Sequence, residues 1–359
     1  MFDAVATGFD DAPQHGPRPL PLFLDMLARE TAGAPDRTAA ALAGLHAYQT
    51  AKRLKAVALP RARHQRGRAR LRDYSTGHGT GAPIVFVPSL INPPTILDLA
   101  PDRSLLRWMA ARGHRTLLVD WGMPGEADRD IDIGGHVERL LLPMLRRLSA
   151  PPVLVGYCLG GTIALAAASA MPVGGVATIA APWHFTGYGA QARADIARLW
   201  TSAAPACAAI GVVPVEVLQA GFWQLDPART IAKYAAFAAM TPGSPEAHAF
   251  VRLEDWANSG APLPYAAGRQ LFERFVGQDD PGGAGWTVGG IPIDPAALSC
   301  PSIAFASRTD RIVPAATTPT LDARHDLSIG HVGMIVGGKA HDQLWMPLAH
   351  WIETLSPPR

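Results

Sequence analysis

The sequence predicts an α/β fold with a mostly parallel sheet, and three observations predict it. Short runs of β-branched and other apolar residues alternate with helical stretches between residues 83 and 180. The alternation lapses into a helical segment carrying Trp183, Trp200, Trp223, Trp256 and Trp286, and it resumes at residue 301. Strands separated by helical crossovers pair in parallel, and an interruption of this kind reads as a cap inserted into the sheet. At 359 residues and 48% hydrophobic, the chain suffices for one large domain with an insertion or for two small ones. Its 35 glycines and 33 prolines point to many turns and long connections, which a helical bundle would not use.

In chain order, residues 1–35 are rich in Pro, Gly and Asp and read as an arm, with an apolar patch over 20–27. An Ala-rich stretch at 36–53, opened by Asp36 as cap, reads as a helix. The run from Lys52 to Arg72 holds nine Lys or Arg residues before Asp73; it reads as a solvated face or connector, the alternative being a contact with an anionic surface. PIVFVP at 83–88 is the first firm strand, short, β-branched and closed by proline. A helix at 102–112 stops at Gly113, a good C-cap, before strand TLLVD at 116–120. A helix at 136–149, a strand at 152–155, a helix at 162–170 and a strand at 176–180 follow. After the cap come strands at 301–306 and 327–329 and a closing helix at 342–354; the Gly-rich stretch 281–290 reads as a flexible loop. The division expected is therefore an arm, helix and basic run at 1–75, a core of 76–182 with 295–359, and a cap at 183–294.

Composition narrows the function classes. A net charge of +2 does not supply the concentrated positive field that nucleic acid requires. Cys158, Cys207 and Cys300 form no CxxC pair and leave an odd thiol, so neither a zinc knuckle nor a disulfide framework is indicated and a reducing, cytoplasmic setting is expected. The start at Met1, Phe2 and Asp3 lacks a basic region leading into an apolar one, and no apolar run approaches the roughly 18 residues of a membrane span. The expectation is a protein neither exported nor membrane-spanning.

The strongest motif is Gly156, Tyr157, Cys158, Leu159, Gly160, between an apolar strand and an Ala-rich helix. This is G-x-C-x-G, the nucleophile elbow of the α/β-hydrolase fold with Cys in place of Ser. The turn is strained and tight, so side chains at the two glycines would strike the neighbouring strand and helix. The helix N-terminus behind the sulfur favours the thiolate. Cys207 and Cys300 lack such a frame and read as packing residues. The fold orders its partners nucleophile, acid, base. Asp310 sits where the loop after strand 301–306 should present a carboxylate, ahead of Asp322 and Asp326. His331, between small residues after the last strand, is the expected base ahead of His325, His341 and His350. The oxyanion hole should use the backbone N–H of Leu159 and one from the loop after the first strand, where Pro88 has none and Leu90 is favoured over Ser89.

Together these stretches resemble the catalytic subunits of polyhydroxyalkanoate (PHA) synthases, especially the short class III type that works with a second protein. The likeness runs over roughly 83–351 and rests on INPPTILDL at 91–99, DRSLL at 102–106, VDWGMP at 119–124, GYCLGGT at 156–162, residues 253–256, TDRIVP at 309–314 and GHVGMIVGGKA at 330–340. It implies that Cys158 attacks a 3-hydroxyacyl-CoA thioester while His331 withdraws the thiol proton and the oxyanion amides stabilise the tetrahedral intermediate. It also implies that the Asp310 carboxylate helps activate the 3-hydroxyl for the next transfer. No metal or organic cofactor is implied. The partners it brings are 3-hydroxyacyl-CoA, the growing polyester, a second synthase subunit and a second copy of the chain, with the surface of PHA granules as a location. Sulfur suits this chemistry, because an acyl group passes between two thiols with little change in free energy. The Trp-bearing cap is expected to keep water from the acyl-enzyme. The chain departs from the family at Arg311, where His is common, and in AAPWHFTG at 180–187.

Two other readings remain open on the same residues. A thioesterase, ester hydrolase or intracellular PHA depolymerase would use water as acceptor and release monomeric acid. A noncatalytic granule-binding protein would keep its granule association when Cys158 is replaced by Ala, with no activity in the parent.

Overall fold

Eight strands form the main sheet: β1 (Ala62–Arg66), β2 (Ala69–Asp73), β3 (Ile84–Val87), β4 (Thr116–Asp120), β5 (Val153–Tyr157), β6 (Gly175–Ile179), β7 (Ser302–Ser307) and β8 (Ala323–Leu327). The structure is a computed structural model that describes residues 16–55, 57–75 and 81–355. The strand order is β1-β2-β4-β3-β5-β6-β7-β8. β2 runs antiparallel to β1 and to β4, and every later pairing is parallel. This is the α/β-hydrolase sheet, mostly parallel as the sequence predicts. β3, β4 and β5 are buried throughout, as strands covered on both faces must be, and that is why they read as continuous apolar runs. β8 lies at the sheet's edge with a polar sequence, ARHDL, and occupies 323–327 rather than the expected 327–329. Only Leu327 in it is buried, so no apolar run marked it.

Much of the basic run is strand. β1 and β2 form a hairpin that turns at Gly67, whose φ is +54°. Ala69 and Leu71 alternate with arginines and enter the core fully buried. Three arginines of the hairpin are paired: Arg63 with Asp73 at 2.8 Å, Arg68 with Asp128 at 3.3 Å, and Arg72 with Asp120 at 2.7 Å. Part of the run is thus a sheet element, and part of its charge is paired.

The longer helices, in chain order, are α1 (Leu20–Glu30), α2 (Pro35–Thr50), α3 (Leu105–Ala111), α4 (Leu159–Ala170), α5 (Ala190–Ile210), α6 (Val215–Leu225), α7 (Pro227–Ala238), α8 (Pro245–Ala257) and α9 (Met346–Thr354). α1 lies within the segment read as an arm, of which residues 1–15 fall outside the described part. The helix expected at 136–149 is broken into a short turn at Ile133–Gly135, a wider π-type turn at His136–Leu141 and one further turn at Leu142–Leu145. The Gly-rich stretch is pinned: Gly283 N–H donates to Asp279 O at 2.7 Å, Gly285 N–H to Asp280 O at 2.8 Å, and Thr287–Val288 pairs with Ile291–Pro292.

The described residues form two compact units. One takes those up to Leu54 together with Asp226–Asn258, and the other takes the remainder. Segment 183–294 therefore contributes to both. In the first unit, α1, α2, α7 and α8 enclose an aromatic core in which Tyr234 meets Phe23 at 4.9 Å and Phe250 at 5.6 Å between ring centroids. α2 and α7 touch backbone to backbone, since a Cβ on Gly44 would lie 1.8 Å from Tyr234 O. Buried Glu254 is satisfied by Lys233 Nζ at 2.7 Å and by the Tyr234 hydroxyl at 2.8 Å. The second unit contains the sheet, with α4 on β5 and β6, and the larger hydrophobic core.

Candidate active site

β5 runs straight into Cys158, and α4 begins at the next residue. Cys158 has φ 56° and ψ −133°, a conformation strained for a side-chain-bearing residue, and the surroundings enforce it. Its N–H donates to Ile179 O at 2.9 Å, and its carbonyl accepts from Gly161 N–H at 2.8 Å. A Cβ on Gly156 would stand 2.3 Å from Gly161 Cα, and one on Gly160 would stand 2.0 Å from Val87 O. The two glycines are thus what allows strand, turn and helix to approach, and the sulfur is carried at the crest of the bend with 9% of the residue exposed.

Two later loops converge on this bend. Asp310 follows β7; its Oδ1 accepts from the N–H groups of Ile312 at 2.8 Å and Val313 at 2.9 Å. Its Oδ2 lies 2.7 Å from Nδ1 of His331, which follows β8. Both residues are buried. The carboxylate fixes Nδ1 as the protonated nitrogen and leaves Nε2 as the other ring nitrogen, and the Cys158 sulfur is close enough to act on the charge of the ring. Tyr157 stacks on the imidazole at 5.0 Å and 28°, and its hydroxyl donates to His331 O at 3.3 Å. Burial alone would lower the His331 pKa, but the Asp310 charge and the Cys158 sulfur outweigh it, and the ring is raised to about 10. The other candidates lie elsewhere. Asp322 accepts from Ser302, Asp326 pairs with Arg324, His341 pairs with exposed Asp342, and His325 packs on Phe305.

The main-chain N–H groups of Leu159, which follows Cys158 in the chain, and of Leu90 make no hydrogen bond among the described residues. Ile91 N–H is taken by Ser89 Oγ at 3.2 Å, and Pro88 O by Trp121 Nε1 at 3.0 Å, which orders the loop that carries Leu90. Among the described residues no group of three or more His, Cys, Asp or Glu side chains could hold a metal ion, and no helix is long and apolar enough to cross a membrane.

A cavity of about 110 Å³ opens over Cys158. Its wall includes Ile91 from the loop after β3, Phe185 and Tyr188 from the turn after β6, Leu199 from α5, Gly221 and Phe222 from α6. The tryptophans stressed in the sequence are elsewhere: Trp183 and Trp286 pack together at 6.0 Å, and Trp200 stacks on Phe272 at 4.9 Å. Residues 217, 218, 221, 222 and 225 of α6 all face the cavity, a helical stripe legible in the sequence but indistinguishable there from a core-facing one. Tyr188, in AAPWHFTGYG, carried no sequence signal at all.

In sequence the chain is similar to poly(3-hydroxyalkanoate) polymerase subunits. It is 28% identical over 285 residues to the poly(3-hydroxyalkanoate) polymerase subunit PhaC of Haloferax mediterranei, covering 75% of this chain and 58% of that one. It is 26% identical over 293 residues to the PhaC subunit of Thiocystis violacea, covering 76% and 81%. The chain thus spans about three fifths of the length of the haloarchaeal relatives, 58% of one and 60% of another. No protein-family model matches. Among solved structures, an esterase from Thermogutta terrifontis superposes with a TM-score of 0.45 at 16% identity, covering 85% of this chain and all of that one (100%). The N-acyl homoserine lactonase AidH superposes with a TM-score of 0.47 at 16% identity, covering 84% and 99%. The chain is an α/β-hydrolase in fold and resembles poly(3-hydroxyalkanoate) polymerase subunits over about 75% of its length.

Proposed function

We propose that this chain is a PHA synthase-like acyltransferase that takes 3-hydroxyacyl-CoA through a covalent intermediate on Cys158. The observation that carries the reading is the 2.7 Å contact of Asp310 Oδ2 with His331, whose ring feels the Cys158 sulfur held at a positive-φ elbow, in a protein that resembles polymerase subunits. The sulfur attacks the thioester carbonyl, His331 takes the thiol proton, and the N–H groups of Leu159 and Leu90 receive the oxyanion. As the tetrahedral intermediate collapses, the carbon–sulfur bond to CoA breaks and CoA leaves with a proton from the imidazolium. A new acyl–sulfur bond remains on Cys158. The 3-hydroxyl of a second acyl group then attacks that thioester, its proton passing to His331, and an ester forms as the Cys158 thiol is released. Asp310 holds the ring and balances its charge in both steps.

Incubation with 3-hydroxybutyryl-CoA tests this, with CoA release, polymer formation and mass mapping of the Cys158 peptide read together. Acyl label on Cys158 and an ester polymer are expected. Label with monomeric acid and no polymer would identify a hydrolase, and label on any other residue would remove Cys158 from the mechanism.

A further inference from the structure

The cavity over Cys158 is walled almost wholly by carbon. Of the side chains lining it, only the Cys158 thiol and the Tyr188 phenol present a hydrogen-bonding group. Tyr188 ends the turn Phe185–Tyr188, and its ring stacks on Phe185 at 5.9 Å. The turn is fastened by Asp279, which accepts from Phe185 N–H at 2.6 Å and from the Thr186 hydroxyl at 2.9 Å. The phenol is therefore held in place, yet among the described residues its hydroxyl makes no hydrogen bond. Burial, and then the proximity of Cys158 and Asp310, push it well above its ordinary pKa, so it stands as an O–H donor and not as a base.

A donor facing an otherwise apolar pocket favours a ligand that offers it an acceptor. A plain hydrocarbon acyl chain cannot accept, whereas an acyl chain with oxygen on C3 can. The cavity's 110 Å³ matches on the order of four carbon atoms, by comparison with the ~150 Å³ cavity that takes benzene. Resting on the acyl-enzyme reading above, we propose that the Tyr188 hydroxyl donates a hydrogen bond to the 3-oxygen of the acyl group carried on Cys158 and so selects 3-hydroxyacyl over unsubstituted acyl thioesters. The selectivity is of the kind produced when one substrate offers an acceptor to the site's hydrogen-bond donor and its competitor does not.

The test compares 3-hydroxybutyryl-CoA with butyryl-CoA in the unmodified protein and in Tyr188→Phe, which keeps the ring and removes one oxygen. CoA release gives kcat/KM, and the mass of the Cys158 peptide reports loading in a single turnover. The unmodified protein should prefer the hydroxylated thioester by ten-fold or more, and Tyr188→Phe should reduce that ratio by at least ten-fold. A ratio within two-fold of the original in the variant overturns the assignment, whether both rates persist or both fall. Equal loading of the two thioesters by the unmodified protein overturns it without need of the variant. If the unmodified protein loads neither, the acyl-enzyme reading itself fails, a result distinct from loss of selectivity alone.

Discussion

Replacing Gly160 by Ala sets helix propensity against packing. Gly160 lies in the first turn of α4, where Ala is favoured by roughly 1 kcal/mol on backbone grounds alone. The added Cβ would sit 2.0 Å from Val87 O and 2.6 Å from Pro88 O, both main-chain atoms of the segment that leads to Leu90. To restore a separation of roughly 3 Å, either the start of α4 or the end of β3 must move by about 1 Å. Overpacking a rigid core in this way costs about 1–3 kcal/mol. The displacement falls on the Leu159 and Leu90 amides, and a misplacement of about 1 Å at a reacting centre lowers the rate on the order of 100-fold. Urea unfolding gives the stability change, and single-turnover loading of Cys158 gives the rate. Gly174→Ala is the control, since its Cβ would meet nothing closer than 3.5 Å. It should stay within about 0.5 kcal/mol of the parent. A Gly160→Ala protein as stable as the parent, and loading within two-fold of it, would falsify the claim that close approach at the elbow positions the oxyanion donors.

Three further outcomes follow from the same contacts. Asp310→Asn removes the charge that raises His331, so its pKa should fall from about 10 and the imidazolium should be lost at lower pH; acylation at neutral pH should drop on the order of 1,000-fold, read from CoA release across a pH series. His136 is lowered to about 4, first by burial and then by Arg68, so the unfolded chain binds its proton from pH 6.5 down and the folded protein does not. Stability from this group is present above pH 6.5 and lost as pH falls toward 4, on the order of 3 kcal/mol; urea melts of His136→Gln should show a shallower acid limb than the parent, and an unchanged limb would rule the group out. Phe275 is fully buried against Phe185 at 5.5 Å and Trp286 at 5.0 Å, so Phe275→Ala should destabilise the protein by about 3–5 kcal/mol in equilibrium unfolding. A loss under 1 kcal/mol would mean that the wall behind the cavity collapses readily into the space.

The sequence by itself determined the parts that local physics dictates. Strands buried on both faces need unbroken apolar runs, so β3, β4 and β5 stood out. A tight bend needs glycines where side chains would collide, so Gly156 and Gly160 marked Cys158 as the crest of an elbow. The order of nucleophile, acid and base then directed attention to Asp310 and His331, which the fold brings within 2.7 Å of each other. What remained illegible depends on contacts made far along the chain. Arg68 and Arg72 read as part of a solvated face or connector because their partners, Asp128 and Asp120, lie 48 or more residues further along and meet them only in the folded protein. The polar edge strand β8 has half its neighbours missing, so burial left no apolar trace in it. Segment 183–294 read as one insertion because the strand–helix alternation lapses there into helical stretches carrying five tryptophans. Which of those stretches joins the second unit's core and which joins the aromatic cluster around Tyr234 is set by packing partners that periodicity does not name. Tyr188 is the sharpest case: a single phenol after a glycine is unremarkable in sequence, and its meaning arises only where the tertiary structure leaves it as the one oxygen among the side chains facing Cys158.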